Sequence, residues 1–210
     1  MEESSNNKRL GIDRIGSNPD MFTQAALAGF QIDPMRDLQY VQLGEIGQGI
    51  PALKAGTIDA VTTSAPHDLF AQRPGFKVIL DMTALKIPLA STVLVSSRNT
   101  VTRKQLELMK FTRVYAEAVH YFLTNPEGTA RIVAKYTKVE DKEVLTYSMA
   151  AEAKGMEKTL QVDPKGIELI LGLISKTVPQ AASARPEDFY DPRFFNDLKD
   201  SEFLKRLWGN

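Results

Sequence analysis

The sequence predicts an α/β fold, in which a parallel sheet occupies the first half and the second half is mainly helical. Two observations support this prediction. Up to Ser97, short apolar segments alternate with helical segments at the spacing that is typical of βαβ units. Beyond Val101, apolar residues recur at helical spacing in one segment after another.

The opening stretch, Lys8–Asp20, predicts a strand, a tight turn and the start of a helix. The apolar residues of the strand give way to Gly16, which can adopt backbone angles that other residues avoid. Ser17 is a good N-cap, and Pro19 suits a first helical turn. The peptide N–H groups at such a helix start favour an anion, so we expect a small ligand with an anionic group here. The alternative is an ordinary capped βα junction.

The rest of the first half continues the same alternation. Apolar spacing and turn residues predict the body of this first helix, two further helices and four further strands. The predicted helices are Met21–Phe30, Ile46–Ala55 and Pro66–Ala71, and the predicted strands are Gln39–Leu43, Ala60–Thr63, Lys77–Asp81 and Thr92–Ser96.

Three turns follow strands of this predicted sheet. They are Gly16-Ser17-Asn18, Gly44-Glu45 and Thr63-Ser64-Ala65-Pro66. Because the carboxyl ends of parallel strands meet at one edge, and ligands of such sheets bind there, we expect the three turns to lie together. Their convergence is more specific than any one of them alone.

The second half contains amphipathic helices with broad apolar faces. The segments are Thr102–Leu123, Asn125–Tyr136, Asp141–Ala153, a helix that begins at Pro164, and Phe194–Leu207. Such faces need to be covered. Either these helices form their own bundle, or they pack on a sheet.

Composition excludes several classes of function. The 210 residues, of which 43% are hydrophobic and 25% charged, are ordinary for a globular protein of one or two domains. The formal net charge is zero, with 26 basic and 26 acidic residues, so no nucleic-acid partner is expected. There is no cysteine, and the only histidines, His67 and His120, lie far apart. We therefore expect no metal site and no cofactor.

No catalytic motif or targeting segment is recognisable. The sequence lacks a Gly-x-Ser-x-Gly elbow, a phosphate-binding loop and a dinucleotide fingerprint, so we expect no enzymatic activity. No apolar run is long enough to span a bilayer. The polar start, residues 1–7, is expected to be a disordered tail, and no export signal is expected in this chain.

Several blocks of sequence resemble ABC-transporter substrate-binding proteins of the nitrate/sulfonate/taurine type. The resemblance covers about residues 8–208 and rests on the order and spacing of the blocks rather than on any single one. The blocks are KRLGIDRIGSNPD, ALKAGTIDAVTTSAP, GFKVILDMTALKIPLASTVLVSSR, FLTNPEGTARIVAKYTK and RPEDFYDPRFFNDLKDSEFLKRL.

The resemblance implies a periplasmic-binding-protein-like (type II) fold, which is a clamp of two lobes. Residues 8–98 would form the α/β second lobe, and residues 99–210 the helical part of the first lobe, whose N-terminal strands this chain lacks. With only one wall of the cleft, we expect weak or absent solute binding by this chain alone.

The resemblance also implies a function and a site. The chain would be the solute-binding component, or a truncated remnant, of an ABC importer for a small anionic or zwitterionic solute such as a sulfonate, taurine or nitrate. Its partner would be an ABC permease, and its location periplasmic or extracytoplasmic. By resemblance, Gly16, Ser17 and Asn18 line the site, Thr63, Ser64 and Pro66 lie opposite, and Gly44 is a third contact.

Two alternatives remain open. The same fold serves in binding or synthesis of the thiamine pyrimidine precursor, although the synthetic branch carries a cysteine-rich motif that this chain lacks. The other alternative is a remnant that binds no ligand and forms a homodimer through exposed helical faces.

Overall fold

The computed structural model describes residues 7–209, and its sheet has three parallel strands in the order β2-β1-β3. They are β1 (Arg9–Ile12), β2 (Gln39–Gln42) and β3 (Ala60–Val61). The central strand β1 pairs along its whole length with β2, and Leu10 and Gly11 pair with β3. The predicted α/β class, with a parallel sheet in the first half and helices in the second, is confirmed.

The sheet is closely packed around its central strand. Leu10 and Ile12 are buried, and Ile12 is fully so. A Cβ at Gly11 would lie 2.7 Å from Ile58 Cδ1 and 3.0 Å from Leu43 Cδ1, so only glycine fits there without displacement of its neighbours. The apolar side chains that pack closely on β1 therefore fix the position of this strand and of the turn that follows it.

Helices make up most of the remaining described chain. In the order of the sequence they are α1 (Asn18–Ala28), α2 (Pro34–Asp37), α3 (Gly49–Lys54), α4 (His67–Gln72), α5 (Arg98–Arg103), α6 (Gln105–Thr124), α7 (Pro126–Thr137), α8 (Lys142–Gly155), α9 (Pro164–Ile174), α10 (Pro192–Asp200) and α11 (Phe203–Trp208). Many begin at a side-chain cap that accepts a backbone N–H, as Ser17 does at α1 and Asn125 at α7.

Two of the predicted strands do not form. Lys77–Asp81 and Thr92–Ser96 are irregular in the structure. Their β-branched residues favour a strand only where a neighbouring strand offers cross-strand contacts. Here Ile79 is 83% exposed and Val95 is 86% exposed, so these side chains lack such contacts. The prediction of a five-stranded sheet is therefore wrong.

The predicted helix Ile46–Ala55 has a different start from the one expected. It begins as a 3-10 turn at Ile46–Gln48 and continues as α3 from Gly49, which places Pro51 in the first turn of the α-helix. The short helix α2, capped by Asp33, was not predicted.

Two other predicted helices are each divided into two. Thr102–Leu123 corresponds to α5 and α6, which meet at Lys104, where φ −125° and ψ 34° leave the helical region. Phe194–Leu207 corresponds to α10 and α11, separated at Glu202, whose φ of 56° is left-handed. Both interruptions depend on single backbone angles that apolar spacing does not reveal.

The chain divides into two compact units. The first contains the residues up to Ser91 together with Pro164–Pro186, and the second contains Thr92–Asp163 and the residues from Glu187 onward. This differs from the predicted division into 8–98 and 99–210, because α9 packs in the first unit. A Cβ at Gly166 of α9 would lie only 2.8 Å from the backbone N of Ala90. Of the predicted tail 1–7, only residue 7 lies in the described part, and the assignment of segments to lobes stays a prediction.

The second unit is a helical bundle centred on α6, which contacts α7, α10 and α11. Ala116 of α6 and Leu198 of α10 are fully buried within it. An ion pair of 3.0 Å joins Arg113 Nη2 on α6 to Asp197 Oδ2 on α10. Apart from α9, the helices of the second half therefore form their own bundle. In the part of the chain that the structure describes, no helix has the length and apolar character of a membrane span.

Candidate functional site

The three turns that the sequence singled out lie at one edge of the sheet. Each follows the carboxyl end of a strand, and the strands are parallel in the order β2-β1-β3. We call the turns after β1, β2 and β3 turn 1 (residues 13–18), turn 2 (residues 43–45) and turn 3 (residues 62–66). Turn 1 therefore lies between the other two. The predicted common edge is confirmed, whereas the ligand contacts of its residues stay a prediction.

Hydrogen bonds and close packing join the turns. Gly44 N–H of turn 2 donates to Asp13 O of turn 1 over 2.9 Å. Ile15 N–H donates to Gln42 Oε1 at the end of β2 over 3.0 Å. After turn 2, a Cβ at Gly47 would lie 3.4 Å from His67 Cε1, which follows turn 3. These contacts make the edge one continuous surface.

Two glycines leave this surface open. Gly16 and Gly44 have φ values of 82° and 83°, which side-chain-bearing residues rarely adopt. At both positions, no atom beyond the two chain neighbours lies within 4 Å of the place where a Cβ would be. Both residues are exposed. A ligand can therefore approach the backbone closely at turn 1 and at turn 2.

The donors of turn 1 are engaged within the turn. Gly16 N–H donates to Asp20 Oδ2 over 2.8 Å, and Ser17 N–H donates to Arg14 O over 3.2 Å. The Ser17 hydroxyl donates to Asp13 Oδ1 over 2.5 Å and accepts from Asp20 N–H. The N–H groups of Gly16 and Ser17 and the Ser17 hydroxyl, three of the donors predicted to hold an anion, are thus already bonded. This geometry is that of the capped βα junction, the alternative that the sequence left open.

The side chain of Asn18 is held in a similar way. Its Nδ2 donates to Ser91 O over 3.0 Å, which connects the start of α1 to the end of the irregular stretch before Thr92. Asn18 is nevertheless exposed, so its remaining surface faces solvent. Of the turn 1 residues, Gly16 and Asn18 offer surface to a solute, and Ser17 is half-buried.

Asp20 organises the region beneath turn 1. Its fully buried carboxylate accepts from Gly16 N–H, from Gln24 Nε2 and from the Tyr40 hydroxyl, the last two over 2.9 Å each. Burial, together with the negative charge of Asp20 and the hydrogen bond to it, raises the pKa of Tyr40 well above its ordinary value. Neither Asp20 nor Tyr40 was a predicted site residue. The spacing of Ser17 and Asp20, which is that of a capping box, was the available signal for Asp20.

Turn 3 contains one polar group that lacks a partner. The Thr62 hydroxyl lies 2.6 Å from the Thr23 hydroxyl of α1, so it is satisfied. Thr63 Oγ1 is buried and has no hydrogen-bond partner among the described residues. A buried hydroxyl without a partner costs free energy, and a ligand would recover that cost only where a local movement of turn 3 brings Oγ1 to the surface. Ser64 is exposed, and the half-buried Pro66 follows a cis peptide bond.

Two exposed charges of opposite sign flank the glycines. Arg14 precedes Gly16 in turn 1, and Glu45 follows Gly44 in turn 2. Neither residue was a predicted contact, although the sequence places both beside the glycines. One cation and one anion on adjacent turns are the pair of charges that a zwitterion requires.

An open groove of about 410 Å³ lies elsewhere in the first unit. It is lined by residues of α9 alone, namely Lys165, Glu168, Leu169, Gly172 and Leu173. None of these residues belongs to the three turns, so the groove is not part of the candidate site. Within residues 7–209, no cluster of three or more metal-ligating side chains occurs.

Comparison with known proteins gives one match. The sequence model of the NMT1-like family matches residues 1–138, a range that includes all three turns and both flanking charges. No curated protein and no solved structure matches the chain.

Proposed function

Because this chain belongs to the NMT1-like family, we propose that its three turns form a binding wall for a small zwitterionic or anionic solute. The family belongs to the nitrate/sulfonate/taurine-binding periplasmic proteins, which are substrate-binding proteins and typically extracytoplasmic. The supporting observation is the common edge: turns 1, 2 and 3 lie side by side at the carboxyl ends of parallel strands, with open space over Gly16 and Gly44.

Of the two solute classes, the geometry favours the zwitterion. Gly16 N–H and the Ser17 hydroxyl, just before α1, are already bonded to the carboxylates of Asp20 and Asp13, which lie close by. Both features disfavour a simple anion at that helix start. Arg14 and Glu45 together match a solute that carries one positive and one negative group, such as an aminosulfonate of the taurine kind.

The roles that accompany this function are part of the same proposal. The chain holds the solute and catalyses no reaction on it, and an ABC permease with its ATPase accepts the solute outside the cytoplasm. Because the wall is exposed, the outer side of a bound solute stays hydrated, and we expect weak binding with a Kd of about 1 mM.

Replacement of Thr63 by valine tests the proposal. Valine keeps the shape of threonine but removes Oγ1, which has no partner in the described chain. We expect Thr63→Val to leave the free energy of unfolding unchanged or slightly higher, and to weaken solute binding about tenfold through loss of one hydrogen bond. Thr102→Val is the matched control, because that exposed hydroxyl bonds only Arg98 O on α5.

The measurement is calorimetric titration with taurine, a simple alkyl sulfonate, nitrate and an aminopyrimidine. Saturable binding of taurine that Thr63→Val weakens and Thr102→Val preserves supports the proposal. Arg14→Gln and Glu45→Gln should each weaken taurine binding, whereas a simple anion would respond to Arg14 alone. Binding of none of the four solutes, or equal affinities for the wild type and Thr63→Val, would overturn the proposal.

A further inference from the structure

The long helix α6 has an exposed face with three apolar side chains. Leu106 is 71% exposed, Val114 is 61% exposed and Tyr121 is 40% exposed. The buried residues Ala116 and Val119 lie on the far side of the helix, and Arg113 and His120 contact α10 and α11. This exposed face is therefore not needed for packing within the bundle.

Two exposed charges stand between these apolar residues. Lys110 lies one turn after Leu106, and Glu117 lies about one turn before Tyr121. Within the part of the chain that the structure describes, neither side chain forms an ion pair. We call Leu106, Lys110, Val114, Glu117 and Tyr121 the α6 stripe.

The α6 stripe is symmetric about its centre, except that its two charges have opposite signs. Leu106 and Tyr121 are equally distant from the midpoint between Arg113 and Val114, and so are Lys110 and Glu117. In a second helix that runs in the opposite direction, the two apolar ends change places, and the negative charge stands where the first helix has its positive charge. A face with this property is complementary to itself in the antiparallel direction.

We propose that the α6 stripe binds a second copy of this chain through an antiparallel, two-fold symmetric pair of α6 helices. In such a pair, residue i faces residue j of the partner and j faces i. Lys110 faces the partner's Glu117 and the same contact repeats on the other side of the axis. Val114 and the partner's Val114 lie on either side of the axis, one residue apart along the helix pair. A parallel pair would place Lys110 against the partner's Lys110, which is repulsive.

Charge complementarity favours a second copy of this chain as the molecule that binds the α6 stripe. The formal net charge of the chain is zero, so two copies do not repel each other at long range. The stripe spans roughly 22 Å of helix. A single helix pair of this length buries less than a standard interface of about 1,600 Å², so the dimer is weak and depends on concentration.

Charge reversal tests this inference by sedimentation velocity over a wide range of protein concentration. We expect the wild type to populate a dimer as concentration rises. Lys110→Glu turns two attractive contacts into two repulsive ones and should raise the dimer Kd about tenfold, as should Glu117→Lys. The double variant Lys110→Glu/Glu117→Lys restores both contacts and should return the Kd to near the wild-type value.

Two further variants complete the design. Val114→Asp places two like charges at the symmetry axis and should abolish the dimer. Lys199→Glu makes the same change of net charge at an exposed position of α10 and should leave the Kd unchanged. Circular dichroism of each variant checks that the helices persist. A wild type that stays monomeric at every concentration, or a dimer that Lys110→Glu does not weaken, would overturn the inference. Because the α6 stripe shares no residue with the three turns, either result leaves the proposed solute site independently testable.

Discussion

At the scale of single residues, turn 1 depends on the Asp20 carboxylate beneath it. Asp20 is fully buried and holds Gly16 N–H, Gln24 and Tyr40 in place. Its loss would leave three donors to be rehydrated or unsatisfied. Asp20 is thus a positioning residue for the edge where Gly16 lies.

Replacement of Asp20 should destabilise the protein substantially. We expect Asp20→Ala to lower the free energy of unfolding by about 3 kcal/mol, because buried donors lose a charged acceptor. Asp200→Ala, at an exposed position of α10, is the control and should change it by less than about 0.5 kcal/mol. Urea denaturation measures both, and equal effects of the two variants would show that the buried network does not stabilise the fold.

The Tyr40 hydroxyl should make the free energy of unfolding depend on pH in the alkaline range. Its pKa is raised in the folded protein, first by burial and then by the charge of Asp20, whereas in the unfolded chain it titrates near its ordinary value of about 10. Unfolding above that pH releases a proton, so stability from this group is complete below about pH 10 and decreases as pH rises further.

Tyr40→Phe isolates this contribution. Below about pH 10 the variant should be less stable by about 1–2 kcal/mol, since Asp20 Oδ1 loses its hydrogen bond. The difference between wild type and variant should shrink as pH rises above about 10. Tyr136→Phe, at an exposed position, should show no difference at any pH. A Tyr40→Phe difference that stays constant to high pH would contradict the raised pKa.

Residue-level prediction from sequence succeeded for the local features of turn 1 and failed for the non-local ones. Ser17 as a cap and Gly16 in a left-handed turn follow from residue type and position. That the Ser17 hydroxyl donates to Asp13, and that Tyr40 reaches Asp20, depends on how β2 lies beside β1. The expectation of free donors at this turn overlooked carboxylates that the same stretch of sequence contains.

At the scale of elements, strand prediction failed for segments that are rich in β-branched residues but have no neighbouring strand to pair with. The predicted segments Lys8–Asp20, Gln39–Leu43 and Ala60–Thr63 each contain a strand, and these strands pair in one sheet. The segments Lys77–Asp81 and Thr92–Ser96 have similar composition but stay irregular, with Ile79 and Val95 exposed. A β-branched composition favours a strand, but the strand forms only where a neighbouring strand pairs with it.

Helix α9 offers a matched pair of glycines that tests its packing. A Cβ at Gly166 would meet the backbone of Leu89 and Ala90, whereas one at Gly172 would meet no atom within 4 Å. Gly166→Ala should therefore lower the free energy of unfolding by about 1–3 kcal/mol through overpacking. Gly172→Ala should raise it by up to about 1 kcal/mol through helix propensity.

Denaturant unfolding followed by circular dichroism distinguishes these outcomes. Opposite signs for the two alanine variants would confirm that α9 packs against the segment before Ser91. Two stabilising substitutions would mean that α9 does not lie against that segment, and its place in the first unit would be wrong.

At the scale of the whole molecule, the boundary between units is the feature that sequence reasoning could not locate. Ile167, Ile170 and Leu171 of α9 share one apolar face, but the periodicity of that face does not show which partner it covers. The structure packs α9 in the first unit and leaves α6, α7, α8, α10 and α11 in a bundle of their own. The class of fold and the common edge of the three turns were predictable, because both follow from the order of elements along the chain.

The proposed binding wall requires all three turns to respond to one solute, and amide NMR of the isotopically labelled chain during titration with taurine measures that response. We expect the largest shifts at Gly16, Gly44 and Thr63 and their neighbours, with little change in α9 or in the helical bundle. The absence of shifts at saturating taurine, or shifts confined to the α9 groove around Gly172, would contradict it.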